Sequence, residues 1–367
     1  MKVCIITFQS AYNYGAILQN YALQKFIEDN FGNVAVLNYH NKNIDNSYKI
    51  QKINLLFRNP KAYISKLSKV IAFKRKNKKI DAFRKKYINL TKYYDSSNIA
   101  EANKEGDIFI TGSDQVWNHL ITGLDSTYYL SFVENKPTCS YAASFGVSEI
   151  QKEYISFYKE NLTKINYISV REDSSIKLIN KIIDRDAKLV TDPTLLINQK
   201  AWAKLATKPK IRKKYILVYK ITKADKLISF AKLLSKKTGY QIIYIPNDLK
   251  NGIIGHTIFD AGPEEWLGYI KNAEYVVTNS FHGTVFSIIF EKEFFVECST
   301  KLNKTTSRIE GLLSILRLKD RIIDSTDNIK IDCEIDYRPV KDKIEIIKND
   351  SYEFLNKVIG GNKNEEK

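Results

Sequence analysis

Short runs of β-branched and apolar residues alternate along the chain with longer stretches whose apolar positions recur at helical spacing. Residues 3–8, 34–38, 107–111, 138–142 and 167–171 read as strands, and 16–29, 149–161 and 174–183 as helices. Asp192-Pro193 breaks the series, which then resumes with strands at 215–220, 241–245 and 274–278 and helices at 223–237, 263–272 and 283–290. Strands separated by helices of about ten to fifteen residues build parallel sheets from βαβ units. Two such series predict an α/β chain of two Rossmann-like domains, with the joint at 193–212. The reading assigns 1–195 to the first domain and 196–340 to the second. It places a C-terminal helix at 341–359 and a disordered polar tail at 360–367.

Composition narrows the class. A chain of 367 residues that is 44% hydrophobic and 27% charged can fill two cores, and it is neither disordered nor a disulfide scaffold. Cys4, Cys139, Cys298 and Cys333 form no CxxC pair and sit near no histidine at zinc spacing, which predicts reduced thiols in a cytoplasmic protein. The apolar run 3–8 is followed by Gln9, Asn13 and Gly15, which suits a buried strand better than a secretory segment. No run of about 18 apolar residues is available to span a membrane.

Charge is concentrated in one place. Residues 42–92 hold 16 Lys and Arg against two acids, a net +14 of the chain's +17. Within that segment Tyr63, Ile64, Leu67, Val70 and Ile71 recur at helical spacing, with Lys66, Lys69, Lys74, Arg75, Lys76, Lys78 and Lys79 around them. One reading is an insertion whose apolar stripe packs on the first domain while its lysines face water. The other is a basic amphipathic helix that contacts an anionic membrane surface. No nucleic-acid motif accompanies the patch, so nucleic acid is not an expected partner.

In open parallel sheets, ligands bind beyond the carboxyl ends of the strands. At the first such junction Asn13 is placed to cap a helix, and Gly15 lets backbone approach a ligand. The second, Thr111-Gly112-Ser113-Asp114-Gln115-Val116-Trp117, offers Asp114 as a base and Trp117 as a stacking face for a sugar, or else an Asx-turn with Trp117 in the core. Arg171 stands where a strand meets a helix, able to clamp a carboxylate or phosphate or to pair with Glu172 or Asp173. In Asn279-Ser280-Phe281-His282-Gly283-Thr284, His282 opens a helix and either protonates or holds a ligand or merely caps, with Gly283 and Thr284 supplying backbone N–H groups. Arg308 in the first turn of a helix opposes the dipole, which calls for an anionic ligand or a neighbour such as Glu310. His40, His119 and His256 read as structural.

These pieces, together with Tyr14-Gly15-Ala16-Ile17-Leu18-Gln19, Ser140-Tyr141-Ala142-Ala143-Ser144-Phe145-Gly146, Asp192-Pro193-Thr194 and Ser307-Arg308-Ile309, resemble the polysaccharide pyruvyl transferase family, in order over residues 3–321. The resemblance implies a GT-B-like fold with two Rossmann-like domains facing a cleft, the acceptor on the first and the donor on the second. It implies transfer of pyruvyl from phosphoenolpyruvate to two hydroxyls of one sugar, in a lipid-linked or other precursor, as a cyclic ketal. His282 and Asp114 would be the acid and base. Arg171, Arg308, Ser280, Gly283 and Thr284 would bind the donor, and Asn13, Gly15, Gln115 and Trp117 the acceptor. The scheme needs no metal or cofactor beyond phosphoenolpyruvate as co-substrate. Ser280 departs from branches that carry Arg there, and Arg308 is the candidate replacement cation. A nucleotide-sugar glycosyltransferase of similar fold and a non-catalytic glycan- or membrane-binding protein are the alternatives.

Overall fold

The computed structural model of the protein describes residues 1–48, 60–247, 254–298, 306–323, 331 and 333–361, with backbone alone at 60–66, 306 and 307. Seven strands form the first sheet: β1 (Val3–Ile6), β2 (Val34–Tyr39), β3 (Leu90–Tyr94), β4 (Ile108–Thr111), β5 (Thr138–Ala143), β6 (Tyr167–Val170) and β7 (Lys188–Leu189). Their order is β3-β2-β1-β4-β5-β6-β7, and every pair is parallel. A second parallel sheet holds β8 (Tyr215–Lys220), β9 (Gln241–Pro246), β10 (His256–Thr257), β11 (Tyr275–Thr278) and β12 (Glu293–Val296), ordered β10-β9-β8-β11-β12. This is the GT-B-like α/β arrangement expected from the sequence. β1 and β4 are buried at every position, because helices cover both faces of a parallel sheet.

The direction of strand addition reverses between β1 and β4 in the first sheet and between β8 and β11 in the second. The loops after β1, β4 and β11 therefore open at crevices, where a parallel sheet takes its ligands. Aromatic rings lock the halves together there. Tyr14 stacks on Trp266 at 5.2 Å and its hydroxyl donates to the Ala261 carbonyl at 2.7 Å. Trp202 packs between Tyr21 at 5.6 Å and Phe286 at 4.9 Å. The C-terminal helix Tyr337–Leu355 returns to the first half, where Ser351 accepts from the Thr191 N–H at 3.0 Å and Tyr352 stacks on Phe31.

The basic segment behaves differently from the expected insertion. Its helix Pro60–Tyr87 is part of the crossover from β2 to β3, and it touches both halves. Phe73, Lys76, Ile80 and Phe83 are buried. Lys79 pairs with Glu265 at 2.7 Å and donates to the Asp260 carbonyl at 2.9 Å, while Arg84 donates to the Gln9 carbonyl at 2.7 Å. Lys76 lies 4.6 Å from the centre of the Tyr14 ring. Leu67 and Ile71, expected in the inward stripe, are instead exposed at 40% and 43%. Val70 of that stripe is half-buried, Tyr63 and Ile64 lie where no side chain is described, and of the tail expected at 360–367 residues 362–367 lie outside the described residues.

The long helix is held by apolar burial more than by its ion pair. Phe83, 1% exposed, packs on Tyr87 at 4.6 Å and Tyr21 at 5.9 Å. Phe83→Ala should cost about 3–5 kcal/mol. Lys79→Ala breaks a half-exposed pair and should cost about 1 kcal/mol or less. Denaturant unfolding of the two variants checks the ranking.

Candidate functional site

Arg171 follows β6 and precedes the helix Asp173–Ile183, so its side chain enters the crevice from the first half. That side chain is 2% exposed. Nη1 donates to Asp192 Oδ2 at 2.7 Å and reaches Ser113 Oγ at 3.4 Å. Nη2 lies 3.8 Å from Asp114 Oδ1, and Nε 3.9 Å from Glu172 Oε2, too far for hydrogen bonds. Nε and Nη2 consequently have no partner. Glu172 Oε1 accepts from Ser144 Oγ at 2.6 Å and Ser175 Oγ at 2.7 Å, while Oε2, which faces Arg171 Nε, is buried without a hydrogen bond.

Asp192 carries the centre of the site, although its sequence reads first as a break. It caps the short helix Pro193–Leu196, with proline at the first position, and accepts from the Thr194 N–H at 3.0 Å and Thr194 Oγ1 at 2.6 Å. The cap-plus-proline pattern was the available signal. Burial works against its ionisation, but His282, Arg171 and the Thr194 hydroxyl outweigh it and hold the carboxyl well below the usual carboxylate range. Its stabilising contribution is therefore full above about pH 4 and declines as pH falls further.

His282 approaches from the second half, in the first turn of the helix Phe281–Ile289 after β11. Its Nε2 stands 3.5 Å from Asp192 Oδ2, an ion-pair distance but not a formed hydrogen bond, and has no hydrogen-bond partner. The opposite edge of the ring faces Gly15, where an added Cβ would lie 2.1 Å from Nδ1. Arg308, in the helix Thr306–Leu316, is buried with an unpartnered Nε. Burial and the neighbouring Arg171 charge lower its pKa to about 10.

Arg171, Arg308, His282 and Asp114 thus converge. Asp114 is 15% exposed, and its φ of 84° is unusual for a residue with a side chain. Its conformation is pinned by the Gln115 N–H on Oδ1 at 2.9 Å and the Ser144 N–H on its carbonyl at 3.0 Å.

Other expected residues sit differently. Trp117 is fully buried, donates to the Tyr128 carbonyl and stacks on Tyr129, so it is a core residue and not a stacking face. Asn13 caps its helix as its position predicts, accepting from the Ala16 N–H at 3.2 Å. Gly15 makes room for His282 rather than for an acceptor. Gln115 Oε1 accepts from Asn118 at 2.8 Å. Ser280 caps the His282 helix, taking the Gly283 N–H at Oγ and the Thr284 N–H at its carbonyl. Gly283 and Thr284 therefore have no free N–H. The first-turn donors left without a helical partner are those of Phe281 and His282.

Gly15→Ala should drive the imidazole from its place. The His282 ring signals, assigned by their loss in His282→Gln, should shift in the proton NMR spectrum of Gly15→Ala. Unchanged signals would show that the ring tolerates a methyl group there.

No curated protein matches the chain in sequence. Similar solved structures include the UDP-GlcNAc 2-epimerase from Methanocaldococcus jannaschii, at 12% identity and TM-score 0.49 over 95% of this chain and 93% of that one. The E. coli ADP-heptose lps heptosyltransferase II is similar at 9% identity and TM-score 0.37, over 95% and 99%. The glycosyltransferase SnogD from Streptomyces nogalater is similar at 7% identity and TM-score 0.40, over 96% of each chain. The family model for polysaccharide pyruvyl transferase matches residues 13–296, which include Arg171, Asp192 and His282. The chain belongs to the polysaccharide pyruvyl transferase family, a family of enzymes.

Proposed function

We propose that the protein transfers the pyruvyl group of phosphoenolpyruvate to two hydroxyls of one sugar in a surface or exopolysaccharide precursor, forming a cyclic ketal. One observation carries the reading. Arg171 Nε and Nη2, Arg308 Nε and His282 Nε2 are buried, converge on one crevice and have no hydrogen-bond partner. Each unsatisfied buried group costs about 1–3 kcal/mol, more when charged, unless a ligand completes it. A ligand with a carboxylate and a phosphate suits two guanidinium groups and a helix N-terminus. Ser280 contributes no cation, and Arg308 supplies the second positive charge from another helix.

The chemistry follows from that placement. Asp114, beside the Arg171 guanidinium, takes the proton of the first sugar hydroxyl as its oxygen bonds to the enol carbon. His282 delivers a proton to the methylene carbon, which becomes the methyl group. The second hydroxyl then bonds to the same carbon, gives its proton to the imidazole left neutral by the first step, and phosphate leaves. Asp192 steadies both Arg171 and the protonated form of His282 through these steps.

Phosphate release from phosphoenolpyruvate, with a panel of nitrophenyl and lipid-linked sugars, tests the reading. His282→Ala should lower turnover about 10²–10⁴-fold. Arg171→Lys, lacking the planar fork, should raise KM for phosphoenolpyruvate far more than for the sugar. Turnover of nucleotide sugars without phosphoenolpyruvate would establish a glycosyltransferase instead. No turnover of either would leave a binding protein.

The same reading has the enzyme work at the cytoplasmic membrane face, on lipid-linked acceptors. No helix of the described residues is long and apolar enough to cross a membrane. The helix Pro60–Tyr87 supports surface contact, because Lys74, Arg75, Lys78, Lys85 and Lys86 are exposed beside Leu67 and Ile71. Its one acid, Asp81, is paired with Arg84. Each cation near an anionic surface contributes about 1 kcal/mol, screened by salt. The protein should sediment with phosphatidylserine vesicles at low salt and detach as salt rises. Changing those five cations to Gln should abolish sedimentation and spare activity on a soluble sugar. Wild-type protein left in the supernatant at low salt would show a merely solvated face.

A further inference from the structure

We propose that Phe281 is a positioning residue whose ring carries the guanidinium groups of Arg171 and Arg308 and holds both aimed at the anion. This rests on the reading of the crevice as an anion site. Phe281 is 6% exposed, and its ring centre lies 4.5 Å from Arg171 Cζ and 5.9 Å from Arg308 Cζ. The ring also meets His282 edge-on at 5.3 Å. One side chain thus touches Arg171, Arg308 and His282.

The two arginines differ in what else holds them. Arg171 has Asp192. Among the described residues, no carboxylate lies within ion-pair distance of Arg308, and Arg171 repels it. Glu172, Asp114 and Asp192 attract it only from beyond ion-pair distance, and the contact at hand is the negative face of the Phe281 π system, which attracts a cation most strongly where water is excluded. The ring is fixed in turn by its backbone, because Ser280 N–H donates to Thr278 Oγ1 at 3.0 Å and Ser280 Oγ takes the Gly283 N–H at 3.2 Å. Phe281 therefore settles two like charges side by side while leaving Arg171 Nε and Nη2 and Arg308 Nε without a hydrogen bond, ready for the ligand. Preorganised cations lose less on binding than cations that must be gathered.

Titration calorimetry of the full chain with phosphoenolpyruvate, and separately with inorganic phosphate, tests this. Phe281→Leu and Phe281→Met remove the π face. Replacement of Phe281 by pentafluorophenylalanine keeps the ring's shape and reverses its quadrupole, and it serves even if the aliphatic variants fold poorly. Kd for phosphoenolpyruvate should rise about tenfold or more in each. KM for the sugar and the melting temperature of the fluorinated protein should stay near wild type. Wild-type affinity in the fluorinated protein would overturn the assignment, whatever the aliphatic variants do. Failure of the wild type to bind either anion would instead sink the reading of the crevice on which the proposal stands.

Discussion

A single buried carboxylate holds the crevice together. Asp192 is 2% exposed, bonds Arg171 from its own half of the chain and faces His282 from the other. Removing it would leave the Arg171 guanidinium without its ion-pair hydrogen bond in a dry interior, a situation that costs about 3–5 kcal/mol in buried pairs that lose one partner. The carboxylate is affordable there only because Arg171, His282 and the Thr194 hydroxyl surround it. Site and interface are thus one unit: the carboxylate that orients Arg171 also faces His282 and so ties the first sheet to the helix after β11.

Around that unit the halves are joined by rings and by one long helix. Tyr14, Trp266, Trp202 and Phe286 interleave beneath the crevice. The helix Pro60–Tyr87 reaches across with Phe73 on Phe259 and Lys79 on Glu265. The apolar contacts set the strength of the joint, and the charged ones set its register. The joint keeps Arg171, Arg308 and His282 around the Phe281 ring although they come from three separate segments.

Much of this was legible in the sequence, because parallel strands buried on both faces are nearly continuous apolar runs and strand-to-helix junctions announce themselves by polar clusters. Arg171 and His282 stood out at such junctions and Arg308 in the first turn of a helix, and the structure brings the three together. Edge strands were not legible: β3, β7 and β10 are short or half polar, and β12 follows its helix across only a brief turn. Trp117 misled because a junction tryptophan has the same sequence signature whether it faces a cleft or folds back on Tyr129. Lys76 and Lys79 misled because a lysine's long apolar stem lets it serve an interface as readily as water. Asp192 and Phe281 matter through partners far away in sequence, and no local pattern shows a contact of that kind.

The meeting of Gly15 and His282 has a consequence for how such a site can change over time. The α-carbon of one position lies against the imidazole of another, in the opposite half of the chain, with no space for even a methyl group. Any side chain at 15 requires a different residue, or a displaced ring, at 282. The two positions are therefore not free to drift independently. A lineage that loses the histidine releases the glycine, and one that loses the glycine first forfeits the histidine's place.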